Sequence, residues 1–241
     1  MDKKATIGTV SEFLTCVREI RRKQDKDGHK GDLIFRGQPC DQPLLPKLGR
    51  DGVRGKLANI ERLLLEEFRR TSLPFLEFPI QDDWDLVAVA QHHGLPTRLL
   101  DWTYSALAAL WFAVREPVLE DGVVWVLSTS KEDFHQNGAQ RAGPLSNSSR
   151  TLIYRPKAFS RRIVAQSGIF TLHKLIDGSR FIALENNKAY KGRLTKLTIN
   201  SGSFPGIRKE LHMLNTNAAS MLPDLDGLCL HLAWRYTKLL D

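Results

Sequence analysis

The segment Asp121-Gly122-Val123-Val124-Trp125-Val126-Leu127 separates two kinds of pattern along the chain. A short unbroken run of β-branched and apolar residues, entered through an Asp-Gly turn, is suited to an interior strand. Ahead of it, apolar residues recur mostly at helical spacing; behind it, apolar runs are short and separated by turn residues. The half ahead of it thus reads as helical and the half behind it as sheet-rich, an α+β pattern.

Towards the N-terminus, Ser105 can cap a helix over Ala106 to Arg115 that is apolar on nearly every side and belongs in the core. Asp82 or Asp83 can cap another, carrying Leu86, Val87, Val89 and Ala90 and stopped by Gly94 ahead of Pro96. Ile60, Leu63, Leu64 and Phe68 mark an amphipathic helix. Asp32 to Arg36 reads as a short strand that Gly37 ends, and the capping box Thr9-Val10-Ser11-Glu12 starts a helix over about 10–22.

Towards the C-terminus, the polar stretch Lys131 to Arg150 reads as a loop of the length used for lids. Ile163 to Ala165, Ile169 to Leu172 and Leu194 to Ile199 read as strands. Ser203 with Pro205 opens a helix through Ile207, Leu211 and Leu214, and a closing helix lies near Leu228 to Tyr236. Without a repeat or an interdomain linker, residues 1–241 are expected to form one domain.

Composition narrows the function classes. With 42% hydrophobic and 26% charged residues, the chain is neither disordered nor fibrous. Cys16, Cys40 and Cys229 have no metal or redox spacing, which fits a reducing compartment. No apolar stretch of signal-peptide length follows Met1-Asp2-Lys3-Lys4, and Tyr104 to Val114 is about half of a membrane span. A cytoplasmic protein with no membrane contact is expected.

Net charge is +8, and residues 138 to 182 hold eight Lys and Arg against Asp177 alone. Such a field attracts phosphates, on a nucleotide or along a nucleic acid.

The densest polar segment between apolar stretches is Gln91-His92-His93-Gly94-Leu95-Pro96-Thr97-Arg98-Leu99-Leu100-Asp101-Trp102-Thr103. The Gly-Leu-Pro turn should bring His92 or His93, Arg98 and Asp101 together. A buried Arg98 then needs Asp101 or an anionic ligand as its partner. No metal is expected, because the remaining histidines sit at no ligand spacing from this pair. Arg36, at a strand end before Gly37, could present its fork to a pyrophosphate while the glycine lets the backbone approach. Phosphate-loop, dinucleotide-fingerprint and Gly-x-Ser-x-Gly patterns are absent.

Phe35-Arg36-Gly37 followed by the segment Gln91 to Thr103 resembles the FRG-domain family, which is named for that first tripeptide. Ser105 to Val114, Ala165-Gln166-Ser167-Gly168-Ile169-Phe170 and Leu222-Pro223-Asp224-Leu225-Asp226-Gly227-Leu228 also look like it, so the likeness runs from about 30 to 235.

The family layout in turn resembles the ADP-ribosyltransferase fold, a split antiparallel sheet with flanking helices and NAD in the cleft. That resemblance implies an enzyme using NAD as substrate to modify a protein or nucleic-acid acceptor, in the setting of a toxin or phage-defence effector. Arg36 would hold the NAD phosphates. Thr103 or Ser105 would support the nicotinamide ribose. The implied contacts to NAD are Arg36, Gly37, His93, Thr97, Arg98, Thr103 and Gln166.

Where such enzymes offer a Glu before the Gly168 strand, this chain has Arg162 and Gln166. Glu210 is then the leading substitute carboxylate, Asp101 the second, and Asp224 and Asp226 more distant ones. The alternative is a module that binds a nucleotide or nucleic acid in the same cleft without breaking a bond.

Overall fold

The Thr9 hydroxyl accepts the Glu12 backbone N–H and opens α1 (Val10–Lys26), but the Glu12 carboxylate takes the Gly8 N–H at 2.8 Å rather than that of Thr9, so half of the expected capping box forms. The computed structural model describes residues 6–28, 30–50, 52, 55–76, 78–116, 118–135, 143–146, 150–158 and 160–239. After α1 come β1 (Leu33–Gln38), α2 (Leu57–Thr71), α3 (Asp83–His92), β2 (Leu99–Thr103), α4 (Ala106–Val114) and β3 (Gly122–Ser128). Then follow β4 (Leu152–Tyr154), α5 (Arg161–Ala165), β5 (Gly168–Leu172), β6 (Leu175–Ile176), β7 (Arg180–Phe181) and β8 (Leu194–Ile199). Three helices close the chain: α6 (Phe204–Met213), α7 (Ala218–Met221) and α8 (Leu225–Thr237).

The α+β expectation holds as a six-stranded antiparallel sheet in the order β4-β5-β2-β1-β3-β8, with helices packed on it. Three readings change. Residues Ile163 to Ala165 are helical, because the Ser160 hydroxyl accepts the Ile163 N–H and starts a turn where a strand was expected. β1 does not stop at Gly37 but continues through Gln38, paired with β3 over its whole length. The segment read as a turn between two helices contains strand β2, which pairs with β5 from Leu99↔Leu172 to Thr103↔Gly168.

Gly37 stays in the strand for a packing reason. A Cβ there would stand 1.8 Å from the Ala109 carbonyl oxygen of α4. The helix thus lies directly on the β1 backbone, and Ala108, Ala109, Leu110 and Ala113 are fully buried against the sheet. Each large side chain buried there contributes roughly 1.5–3 kcal/mol. The opposite face carries Ile34, Leu100, Trp102, Val123 and Leu127, covered by Leu44, Leu184 and Tyr190.

Pairing is uneven across the sheet. β1 and β3 match over six residue pairs, yet β1 and β2 share one, Phe35↔Thr103. The central sheet therefore parts just beyond that pair. Of the 131–150 loop expected to act as a lid, residues 136–142 and 147–149 lie outside the described residues, so that expectation does too.

Candidate active site

Had β1 and β2 stayed in register, Gly37 would face Asp101. Instead the strands diverge, and the Asp101 carbonyl accepts a hydrogen bond from Arg36 Nη1 at 2.7 Å. The same nitrogen lies 3.8 Å from Asp101 Oδ2, which also accepts from Gln91 Nε2 at 2.9 Å. A guanidinium thus takes the place of the missing backbone rungs.

That side chain is 14% exposed, and its Nε is buried with no hydrogen-bond partner. Burial lowers its pKa to about 10; Asp101 opposes the fall and Arg50 adds to it. The group remains cationic at neutral pH and only partly satisfied. A buried charge in this condition favours an anionic ligand.

A crevice of about 460 Å3 opens at the parting. Arg36, Arg115 and Arg162 line it, and Asp101 is the one carboxylate among its described lining residues. Arg115 is paired with Glu116 at 2.7 Å, whereas Arg162 Nε is buried without a partner. His92 also lines the crevice, its pKa lowered to about 4 by burial and then by His93 and Arg162, with Asp101 pulling the other way. It is neutral at pH 7. The crevice therefore carries a net positive charge and accepts anions.

A groove of about 780 Å3 adjoins it, sharing His92 and Arg162. Phe75 and Phe78 are exposed along this groove. Of the basic 138–182 run, Lys157, Arg161 and Arg162 line the groove, but Lys157 is already bound to Asp82 and Asp85 at 3.2 and 2.9 Å. Arg155 lies over the Phe134 ring at 4.3 Å, so the described part of the run does not form one open face.

The sequence-based candidates divide. Arg36, Gly37, Asp101, Thr103 and Gln166 all line the crevice. The Thr103 hydroxyl is occupied, donating to the Gln166 carbonyl at 2.5 Å and accepting from the Ser105 N–H at 2.9 Å. Gln166 Nε2 donates to the Met221 carbonyl at 2.9 Å. His93 lines the neighbouring groove, and it is His92 that reaches the crevice. Helix α3 ends between these two residues, which decides their directions.

Arg98 and Asp101 do not pair. Arg98 is 3% exposed and bonds Glu61 of α2, because the strand turns its side chain to the side away from Arg36's crevice. Thr97 is fully buried, its hydroxyl donating to Gln91 Oε1 at 2.7 Å and accepting from the Leu99 N–H. Neither lines the crevice. Glu210 does not line it either: its Oε2 accepts the Val10 N–H at 3.0 Å, capping α1. Asp224 caps α8 through the Gly227 N–H at 2.7 Å.

Sequence reasoning did not single out Phe112 or Arg115, which α4 and the residue after it carry into the crevice from a helix read as apolar on nearly every side. Arg115 at the end of that apolar run was the available signal. Among the described residues no group of three or more His, Cys, Asp or Glu could hold a metal ion. None of their helices is long and apolar enough to cross a membrane.

Residues 31–122, from just before β1 to the start of β3, match the family model described as FRG domain. No curated protein and no solved structure matches the chain.

Proposed function

Because the chain carries an FRG domain, we propose that the crevice between its parted central strands binds NAD and serves ADP-ribosyl transfer to a macromolecular acceptor. The observation that carries this reading is Arg36: a largely buried guanidinium with an unpartnered Nε, set where the sheet splits and 3.8 Å from a half-exposed carboxylate. Paired phosphates suit that fork. The single rung between β1 and β2 supports the likeness to a split-sheet transferase.

In this reading Arg36 and Arg162 hold the dinucleotide's phosphates. With Glu210 committed to α1, Asp101 is the carboxylate left to face the ribose. The bond from ribose C1 to nicotinamide breaks, and its electron pair leaves with the nicotinamide. The positive character that develops on the ribose is what a nearby anion stabilises more in the transition state than in the ground state. An acceptor oxygen or nitrogen then bonds C1 and gives up its proton to solvent.

A second reading, nucleotide binding without bond cleavage, is favoured by one observation. Asp101 is already engaged by Gln91 and Arg36, and the positions before Gly168 contribute Arg162 and Gln166 rather than an acid.

Release of free nicotinamide from NAD by the purified protein tests both. The enzyme reading expects turnover abolished in Arg36→Ala and reduced by about two orders of magnitude in Asp101→Asn. Saturable NAD binding that weakens in Arg36→Ala, with no turnover in the presence of protein and nucleic-acid acceptors, supports the second reading. Absence of both overturns the site.

A further inference from the structure

A separate cavity of about 300 Å3 lies among α4, α6, α7 and α8, touching the crevice only through the shared wall residues Arg115 and Leu222. Trp111 and Trp234 give it aromatic surface, and Arg208, His231, Thr216 and Asn217 give it polar groups. Neither reading of the crevice uses it.

Arg208 sits 5.1 Å from the Trp234 ring centroid, and no carboxylate pairs with it among the described residues. Burial holds its pKa below the ordinary arginine value. The acid that lines the cavity, Glu116, is already bound to Arg115 through both Nε and Nη2. His231 is 9% exposed, and its Nδ1 is buried with no partner. The cavity thus combines indole surface, an unneutralised cation and an imidazole nitrogen lacking a hydrogen bond.

Indole faces attract planar rings, and a desolvated guanidinium attracts an anion. One ligand meeting both demands is an aromatic ring that carries a single anionic group. The volume stands at the bottom of the roughly 300–1,000 Å3 range of small-molecule sites. That suits one nucleotide rather than two.

We propose that this cavity is a second nucleotide site, which takes a purine nucleoside monophosphate with its base against the tryptophans and its phosphate on Arg208. The proposal stands apart from the NAD reading, since it uses different residues and requires no turnover.

Tryptophan fluorescence of the full chain, titrated with AMP and in parallel with adenosine, tests it. AMP should quench saturably with a Kd of roughly 1 mM or below. Adenosine, which offers Arg208 nothing, should bind about tenfold more weakly. Arg208→Gln should bring AMP down to the level of adenosine, and Trp234→Leu should remove most of the quenching, with circular dichroism showing both variants folded. The Trp234-dependent part of the quenching should be unchanged in Arg36→Ala, whatever AMP the crevice also takes up. The proposal is overturned if AMP gives no saturable quenching, if Arg208→Gln binds AMP as the parent does, or if Arg36→Ala is the variant that loses it. The last outcome would move AMP to the crevice and leave the NAD reading standing.

Discussion

The Arg98 guanidinium meets the Glu61 carboxylate with Nη2 2.6 Å and Nε 2.7 Å from Oε2, while Oε1 accepts Arg98's own backbone N–H at 2.9 Å. Both side chains are shut off from solvent, at 4% and 0% exposure. The pair fastens α2 to the start of β2. Removing one partner leaves the other charge buried and alone, so Glu61→Ala or Arg98→Ala should lower stability by about 3–5 kcal/mol. Urea denaturation measures this. A loss near zero would mean that water reaches the pair.

Gly37→Ala should damage the fold rather than the chemistry. The added methyl would meet the Ala109 carbonyl at 1.8 Å and Ala113 N at 2.9 Å, and neither belongs to a flexible side chain. A cost at the upper end of the roughly 1–3 kcal/mol seen for overpacked cores is expected in the same urea experiment. A variant as stable as the parent would show that α4 does not rest on β1.

Glu210→Ala should separate stability from turnover. Its carboxylate satisfies the first backbone donor of α1, so its loss should cost about 1 kcal/mol, within the range measured for helix caps. Nicotinamide release should be unchanged. Loss of turnover with unchanged stability would return Glu210 to the reaction.

Acid should weaken the fold before the carboxylates titrate. His173 is 1% exposed, and burial followed by the Arg36 charge lowers its pKa to about 3, with the Ile182 backbone pulling the other way. An unfolded histidine takes up its proton near pH 6.5. Between those values the unfolded chain binds more protons than the native one, so stability is full above about pH 6.5 and declines as pH falls through the window. From pH 7 to pH 5, His173 should account for roughly 2 kcal/mol of lost stability. His92, also held neutral, acts in the same direction. Urea denaturation of His173→Gln at the two pH values should show a smaller drop than the parent, and equal drops would exclude this cause.

What the sequence could reveal depended on how far each signal reached along the chain. Helix α1 and its cap, the Ser105 cap of α4 and the interior strand β3 rest on residues a few positions apart, and all three stand in the structure. β2 was hidden because its five residues, Leu-Leu-Asp-Trp-Thr, put apolar side chains on both faces and have no period to read. The partners of Arg98 and Glu210 were hidden more deeply. Glu61 lies 37 positions from Arg98 and Val10 lies 200 from Glu210, so only the packed helices bring these groups together. Arg36 and Asp101 were legible as candidates because a charge beside a glycine or between apolar neighbours stands out locally, and the structure places both at the crevice.

The contact of Arg36 Nη1 with the Asp101 carbonyl has a mechanical side. Beyond Phe35↔Thr103, a side-chain cation does the work of a backbone ladder, and it is the same cation that the proposed phosphate would claim. Filling the cleft and clamping the two half-sheets together are then competing demands on one side chain. Occupancy should loosen the seam, and a tighter seam should expel its guest.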